Sequence, residues 1–268
     1  VSEEQDVIGS LGDAGVLAGV RWAYRSAATR TLETYSEADG HGAAWFGITR
    51  FTLFCDRLDR VFACERYAVR SASGDADLDV LYEVLSDEDV DSMPQLDADL
   101  VARSDLNGSP GWAHEKRRFL LASCMYGGID RLPWPQRSPT KQQVARQPSP
   151  DPSPQASLFD GLASQEIGGL ETVLSGERDL ELETFVVAHS LDQISYRSEL
   201  VLGRPRLNSR GGAAWYWRHD LLDAPTAGGG RRRDDVRPPS NPDAESDAPV
   251  RLRRPASDRR GSHDGKAQ

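Results

Sequence analysis

The chain has 268 residues, enough for one large or two small domains, and its 38% apolar content with six Trp suffices for a core. A net charge of −10 argues against wholesale coating of nucleic acid, though not against a local basic site. No run of about 18 apolar residues occurs, so no membrane span is expected. The three Cys, at 55, 64 and 124, have no metal or disulfide-framework spacing and read as reduced thiols of a cytoplasmic protein.

The opening residues, VSEEQDV, are acidic and polar and predict no signal peptide; a start at Val1 suggests an alternative start codon or a trimmed chain. Residues 1–12 read as frayed. From Asp13, the positions Leu17, Val20, Tyr24, Ala27, Thr31 and Tyr35 follow helical spacing, with Asp13 able to cap and Gly40 beyond the end. Arg21, Arg25 and Arg30 fall on the outer face of this helix and read as solvated.

Ala43 to Val69 reads as a β-hairpin turning at Asp56-Arg57-Leu58-Asp59. That register opposes Phe51 to Cys64 and sets Arg50 against Glu65 as an ion pair. Ile48, Phe51, Cys55, Leu58 and Phe62 also fit heptad spacing, but the β-branched and aromatic content favours the hairpin. Leu78, Leu81, Tyr82 and Leu85 mark a short helix. Between Asp75 and Asp105 eleven acids face one base, Arg103, and read as a solvated acidic surface, since no calcium-loop pattern is present. Asn107 to Gly111 is a turn cluster, and Arg118 to Cys124 a buried strand.

Seven prolines fall between Pro133 and Pro154, so residues 132–156 read as a proline-rich linker. It carries Arg131, Arg137, Lys141 and Arg146 in and beside it, a Trp134 able to anchor it to the front domain, and the phosphorylation-type pairs Ser138-Pro139 and Ser149-Pro150. The polarity then flips at Gln155-Ala156-Ser157-Leu158-Phe159. Gln155, Ser157, Leu158 and Phe159 resemble the short motif by which bacterial DNA polymerases and mismatch-repair proteins dock on the ring-shaped sliding clamp. Ala156 stands where that motif most often has Leu. The resemblance implies a DNA sliding clamp as partner, with Leu158 and Phe159 filling one apolar pocket and Gln155 orienting the chain at its edge. The same residues also read as a helix start, with Ser157 as cap and Leu158, Phe159, Leu162 and Ile167 as a buried face.

Beyond them, Leu162 to Leu174 reads as a helix. Phe185 to His189, Glu199 to Leu202 and Ala213 to Arg218 read as strands. Residues 197–219 hold five arginines against one acid, Glu199, with Trp215, Tyr216 and Trp217 among them. Guanidinium groups pair with phosphates and aromatic faces stack on unpaired bases, which nominates Arg204, Arg206, Arg210, Trp215, Trp217 and Arg218 as a contact surface for DNA. Residues 223–268 hold ten bases against eight acids in a Pro, Gly, Ser and Arg background and read as a disordered tail.

No nucleotide, hydrolase or zinc motif is present, and no cofactor or metal is expected. Asp105 with Glu115 and Lys116, and Asp39 with His41 and Glu65, are the nearest carboxylate groupings for metal-dependent nuclease chemistry, and no residue is assigned to catalysis. The expectation is an α+β protein. A long N-terminal helix packs on an antiparallel sheet over residues 1–131, the linker spans 132–156, residues 157–222 add a helix plus hairpin that can complete the same core, and the tail is 223–268. The expected role is an accessory factor of DNA metabolism. The alternatives are a non-enzymatic protein-interaction module and a nuclease.

Overall fold

The computed structural model describes residues 1–68, 81–150, 180–209 and 212–222. The protein is α+β. Its first helix, α1 (Glu3–Asp13), forms where fraying was expected, because Ser2 and Gln5 close a capping box: the Ser2 hydroxyl accepts from Gln5 N at 3.2 Å and Gln5 Oε1 from Ser2 N at 3.3 Å. Gly15, at φ 80°, turns the chain into α2 (Val16–Thr34), which spans most of the predicted helix.

The hairpin predicted over Ala43–Val69 is instead α3 (Ala43–Val61), followed by one 3₁₀ turn, Glu65–Tyr67. Its buried positions Phe46, Arg50, Phe54, Arg57 or Leu58, and Val61 recur every three or four residues, and Arg60 is buried beside them. The predicted Arg50–Glu65 pair is not formed: Arg50 Nη1 donates to the Leu191 carbonyl at 3.2 Å. A short helix, α4 (Asp87–Ser92), follows, capped by Ser86. Of the helix predicted on Leu78, Leu81, Tyr82 and Leu85, Leu78 lies outside the described residues, Leu81 and Tyr82 are helical and a turn follows at Glu83 and Val84; the helix predicted from Leu162 lies wholly outside them.

Among the described residues six strands make one sheet in sequence order: β1 (Ala102–Arg103), β2 (Gly111–His114), β3 (Arg117–Ser123), β4 (Glu183–Leu191), β5 (Ser198–Pro205) and β6 (Trp215–Asp220). The sheet is mixed where an antiparallel one was expected: β3 and β4 run parallel, pairing Phe119 with Phe185 and Ala122 with Ala188, and all other pairs are antiparallel. A parallel pair needs a long crossover. Here the connection contains the proline-rich stretch, so strands from both sides of that stretch share one sheet.

Alternation assigns the two faces. Phe119, Leu121, Phe185, Val187, Leu200 and Leu202 meet α1, α2 and α3; Leu120, Ala122, Val186, Ala188 and Val201 meet the segment 129–146. That segment is not extended throughout. It makes 3₁₀ turns at Ile129–Arg131 and Trp134–Gln136 and then α5 (Pro139–Ala145), where Ser138 caps and Pro139 occupies the first turn, the one helical site proline tolerates. Trp134 is fully buried, its Nε1 donating to the Ala214 carbonyl at 2.6 Å. No helix among the described residues is long and apolar enough to cross a membrane.

Candidate nucleic-acid interface

The nominated basic and aromatic residues are split by one irregularity. Between Arg204 and Pro205 the β5–β6 register slips, so Arg204 pairs with Trp217 and Pro205 with Trp215, leaving Tyr216 as the extra residue. Two positions apart in a regular strand would mean one face. With the bulge, Trp215 turns toward 129–146, meeting Trp134 edge-on at 5.2 Å and donating to the Ile129 carbonyl at 2.8 Å. Trp217 turns to the helix face, donating to Glu3 Oε2 at 2.6 Å.

Arg204 follows Trp217 inward. Its side chain is 7% exposed, ion-paired to Glu3 at 3.3 Å, and its Nη2 donates to the Pro148 carbonyl at 2.6 Å. Its guanidinium also lies 5.4 Å from the Phe185 ring centroid. Arg204, Trp215 and Trp217 are thus committed to the interior. Arg206, Arg218 and the half-buried Tyr216 remain outward: Arg206 stands over the Tyr216 ring at 5.6 Å, and Arg218 Nε donates to Asp130 Oδ1 at 2.5 Å. Arg210 lies outside the described residues, as do Gln155, Ser157, Leu158 and Phe159.

Tyr216 and Arg218 border a cleft of about 710 Å³ between 130–136 and 208–218, lined among others by Arg131, Pro133, Asn208 and Trp215. Asn208 fixes its floor, accepting from Trp134 N at 3.2 Å and donating to the Leu132 carbonyl at 3.0 Å. Asp130 is the one acid in the described lining, and Arg218 already neutralises it. The cleft is therefore locally basic in an acidic chain. Arg131 and Tyr216 stood in view in the sequence as linker base and interleaved aromatic, but Asp130 and Asn208 carried no signal, because their partners lie more than seventy positions away.

The carboxylate groupings do not assemble. Asp105 accepts from Arg103 Nε at 2.7 Å and Gly111 N at 3.1 Å, while Glu115 occupies the β2–β3 turn at φ 52°. His41 stacks on Trp45 at 3.9 Å and accepts from Ser36 N. Among the described residues no three His, Cys, Asp or Glu side chains are grouped to hold a metal ion. Burial pushes the thiols of Cys64 and Cys124 up to about 11, so neither is primed as a nucleophile. No protein family, curated protein or solved structure matches the chain.

Proposed function

We propose that the protein is a cytoplasmic accessory factor of DNA metabolism, recruited to a sliding clamp through Gln155, Ser157, Leu158 and Phe159 and holding single-stranded nucleic acid in the cleft beside β6. The observation that carries this reading is the Tyr216 ring, which Arg206 stands over and which lines the cleft together with Arg131 and Arg218. An aromatic face flanked by guanidiniums takes a base by stacking and the neighbouring phosphates by charge. Each phosphate that an arginine of the cleft neutralises contributes roughly −0.7 to the log–log salt slope on a single strand.

Anisotropy of a labelled single-stranded oligonucleotide tests the cleft. Tyr216→Ala weakens binding by roughly tenfold or more. Arg131→Ala with Arg218→Ala lowers the magnitude of the salt slope by at least roughly 0.7. Binding indifferent to all three substitutions rules the cleft out. The recruitment half is tested separately: full-length protein binds purified clamp with an affinity on the order of micromolar, lost on Leu158→Ala plus Phe159→Ala.

A second reading, a non-enzymatic protein-binding module, is supported by the exposed Met125, Ile194 and Tyr196 on the loops that follow β3 and β4. Arg197, 5.0 Å from the Tyr126 ring, joins those two loops. Salt-insensitive capture of a protein partner, lost on Ile194→Asp, separates this reading from the first.

A further inference from the structure

Ser149 lies half-buried between two exposed prolines, Pro148 and Pro150. Its hydroxyl donates to Glu3 Oε2 at 3.4 Å. Glu3, in the first turn of α1, is the carboxylate that also receives Trp217 Nε1 at 2.6 Å and pairs with Arg204 at 3.3 Å. Arg204 reaches the same spot from the sheet, since its Nη2 donates to the carbonyl of Pro148, the residue before Ser149. Its Nε is buried and makes no hydrogen bond among the described residues. A guanidinium with a spare buried donor thus stands one residue from a serine hydroxyl that precedes proline.

We propose that Ser149 is a phosphoryl-acceptor site for a proline-directed serine kinase, and that Arg204 receives the phosphate in place of Glu3. In the transfer, Ser149 Oγ attacks the γ-phosphorus of the kinase's nucleoside triphosphate. The new O–P bond forms as the bond to the β–γ bridging oxygen breaks. Nucleoside diphosphate leaves, and the hydroxyl proton passes to the kinase's base. A neutral donor becomes a group of charge about −2 with three acceptor oxygens. Beside it the Glu3 carboxylate is repelled, while the Arg204 fork matches phosphate bidentately.

The consequence is confined to the start of α1. Glu4 still faces His219 at 3.5 Å, Asp6 still pairs with Arg117, and Val7 and Leu11 remain in the core. Phosphorylation therefore loosens the first turn without detaching the helix. This inference does not rest on nucleic-acid or clamp binding.

The test treats the full chain with a proline-directed serine kinase and ATP, locates the phosphate by peptide mass spectrometry and follows amide exchange. The expected result is phosphate on Ser149 and exchange at Gln5 to Ile8 faster by roughly tenfold, as one first-turn ion pair is lost. Ser149→Glu, which needs no kinase, shifts exchange in the same direction by less. Glu3→Gln, which removes the repelled charge, mutes the response to phosphate. Phosphate only at Ser138, or phosphate at Ser149 with unchanged or slower exchange in α1, overturns the proposal.

Discussion

Asp56→Ala lowers stability by about 3–5 kcal/mol, because it strands two buried guanidiniums. Asp56 sits in the middle of α3 with its carboxylate fully used. Oδ2 accepts from Arg57 Nη1 at 2.6 Å and Arg60 Nε at 2.9 Å, and Oδ1 from Arg66 Nη2 at 2.6 Å and the Tyr67 hydroxyl at 2.5 Å. Arg57 and Arg60 have side chains only 3% and 6% exposed. Each makes a second bond, Arg57 to Ser26 Oγ and Arg60 to the Leu81 carbonyl, so neither can swing out to water without breaking contacts to α2 or to the chain beyond the 3₁₀ turn. Burial works against ionisation of Asp56, yet the Tyr67 hydroxyl and the Arg60 and Arg66 guanidiniums hold its carboxyl down at about 2. A depressed carboxylate contributes stability that is complete above its unfolded value and disappears as pH falls through the folded one. The window here runs from about pH 4 down to about 2, and the contribution is on the order of 2 kcal/mol. Urea unfolding at pH 7 reads the substitution directly, with a lower midpoint and an unchanged slope. A midpoint within experimental error of the parent's would mean that Arg57 and Arg60 find other partners.

That cluster also explains where the sequence misled. A polar residue is ordinarily taken to mark the outer face. Arg50, Arg57 and Arg60 all lie inside, because the Leu191 carbonyl, Asp56, Ser26 and the Leu81 carbonyl receive them. With three outer markers false, α3 fits a period of two almost as well as 3.6, and its phenylalanines tip the choice to strand. The later strands were legible for the opposite reason. Phe185 to His189 is an apolar run buried on both faces, as a central strand next to a parallel neighbour must be. The interface suffered from distance along the chain. Nothing near Arg204 announces Glu3, some two hundred positions earlier, and nothing near Trp215 announces a bulge that sends it and Trp217 to opposite faces. Over the described part of the proline-rich stretch, residues 132–150, the proline content warned against a long helix, but Ser138-Pro139 is a good helix start, and about two turns of helix follow it.

Acidification from pH 7 towards 5 destabilises the protein through His189 alone, before any carboxylate of the Asp56 type titrates. His189 is in β4 with no exposed surface, and neither ring nitrogen has a hydrogen-bond partner among the described residues. It packs edge-on against Phe54 at 5.1 Å and tilted against Tyr24 at 5.9 Å, rings that offer an imidazolium no acceptor of comparable strength to water. Burial, and after it the positive charges of Arg50 and Lys141, hold its pKa well below the ordinary 6.5. The unfolded chain takes up this proton near pH 6.5 and the folded chain does not. Stability is therefore complete above that value and falls below it, at up to about 1.4 kcal/mol per pH unit until the folded imidazole itself takes the proton. His189→Leu keeps much of the volume, removes both orphaned nitrogens and removes the titration. It is expected to match or exceed the parent at pH 7 by up to about 1 kcal/mol, and to hold a flat urea midpoint between pH 7 and 5 where the parent's declines. Because the Asp56 window opens only near pH 4, the two titrations separate in one series of urea curves. If the His189→Leu protein keeps the parent's decline between pH 6.5 and 5, the proton is taken up at another group, and the burial argument for His189 fails with it.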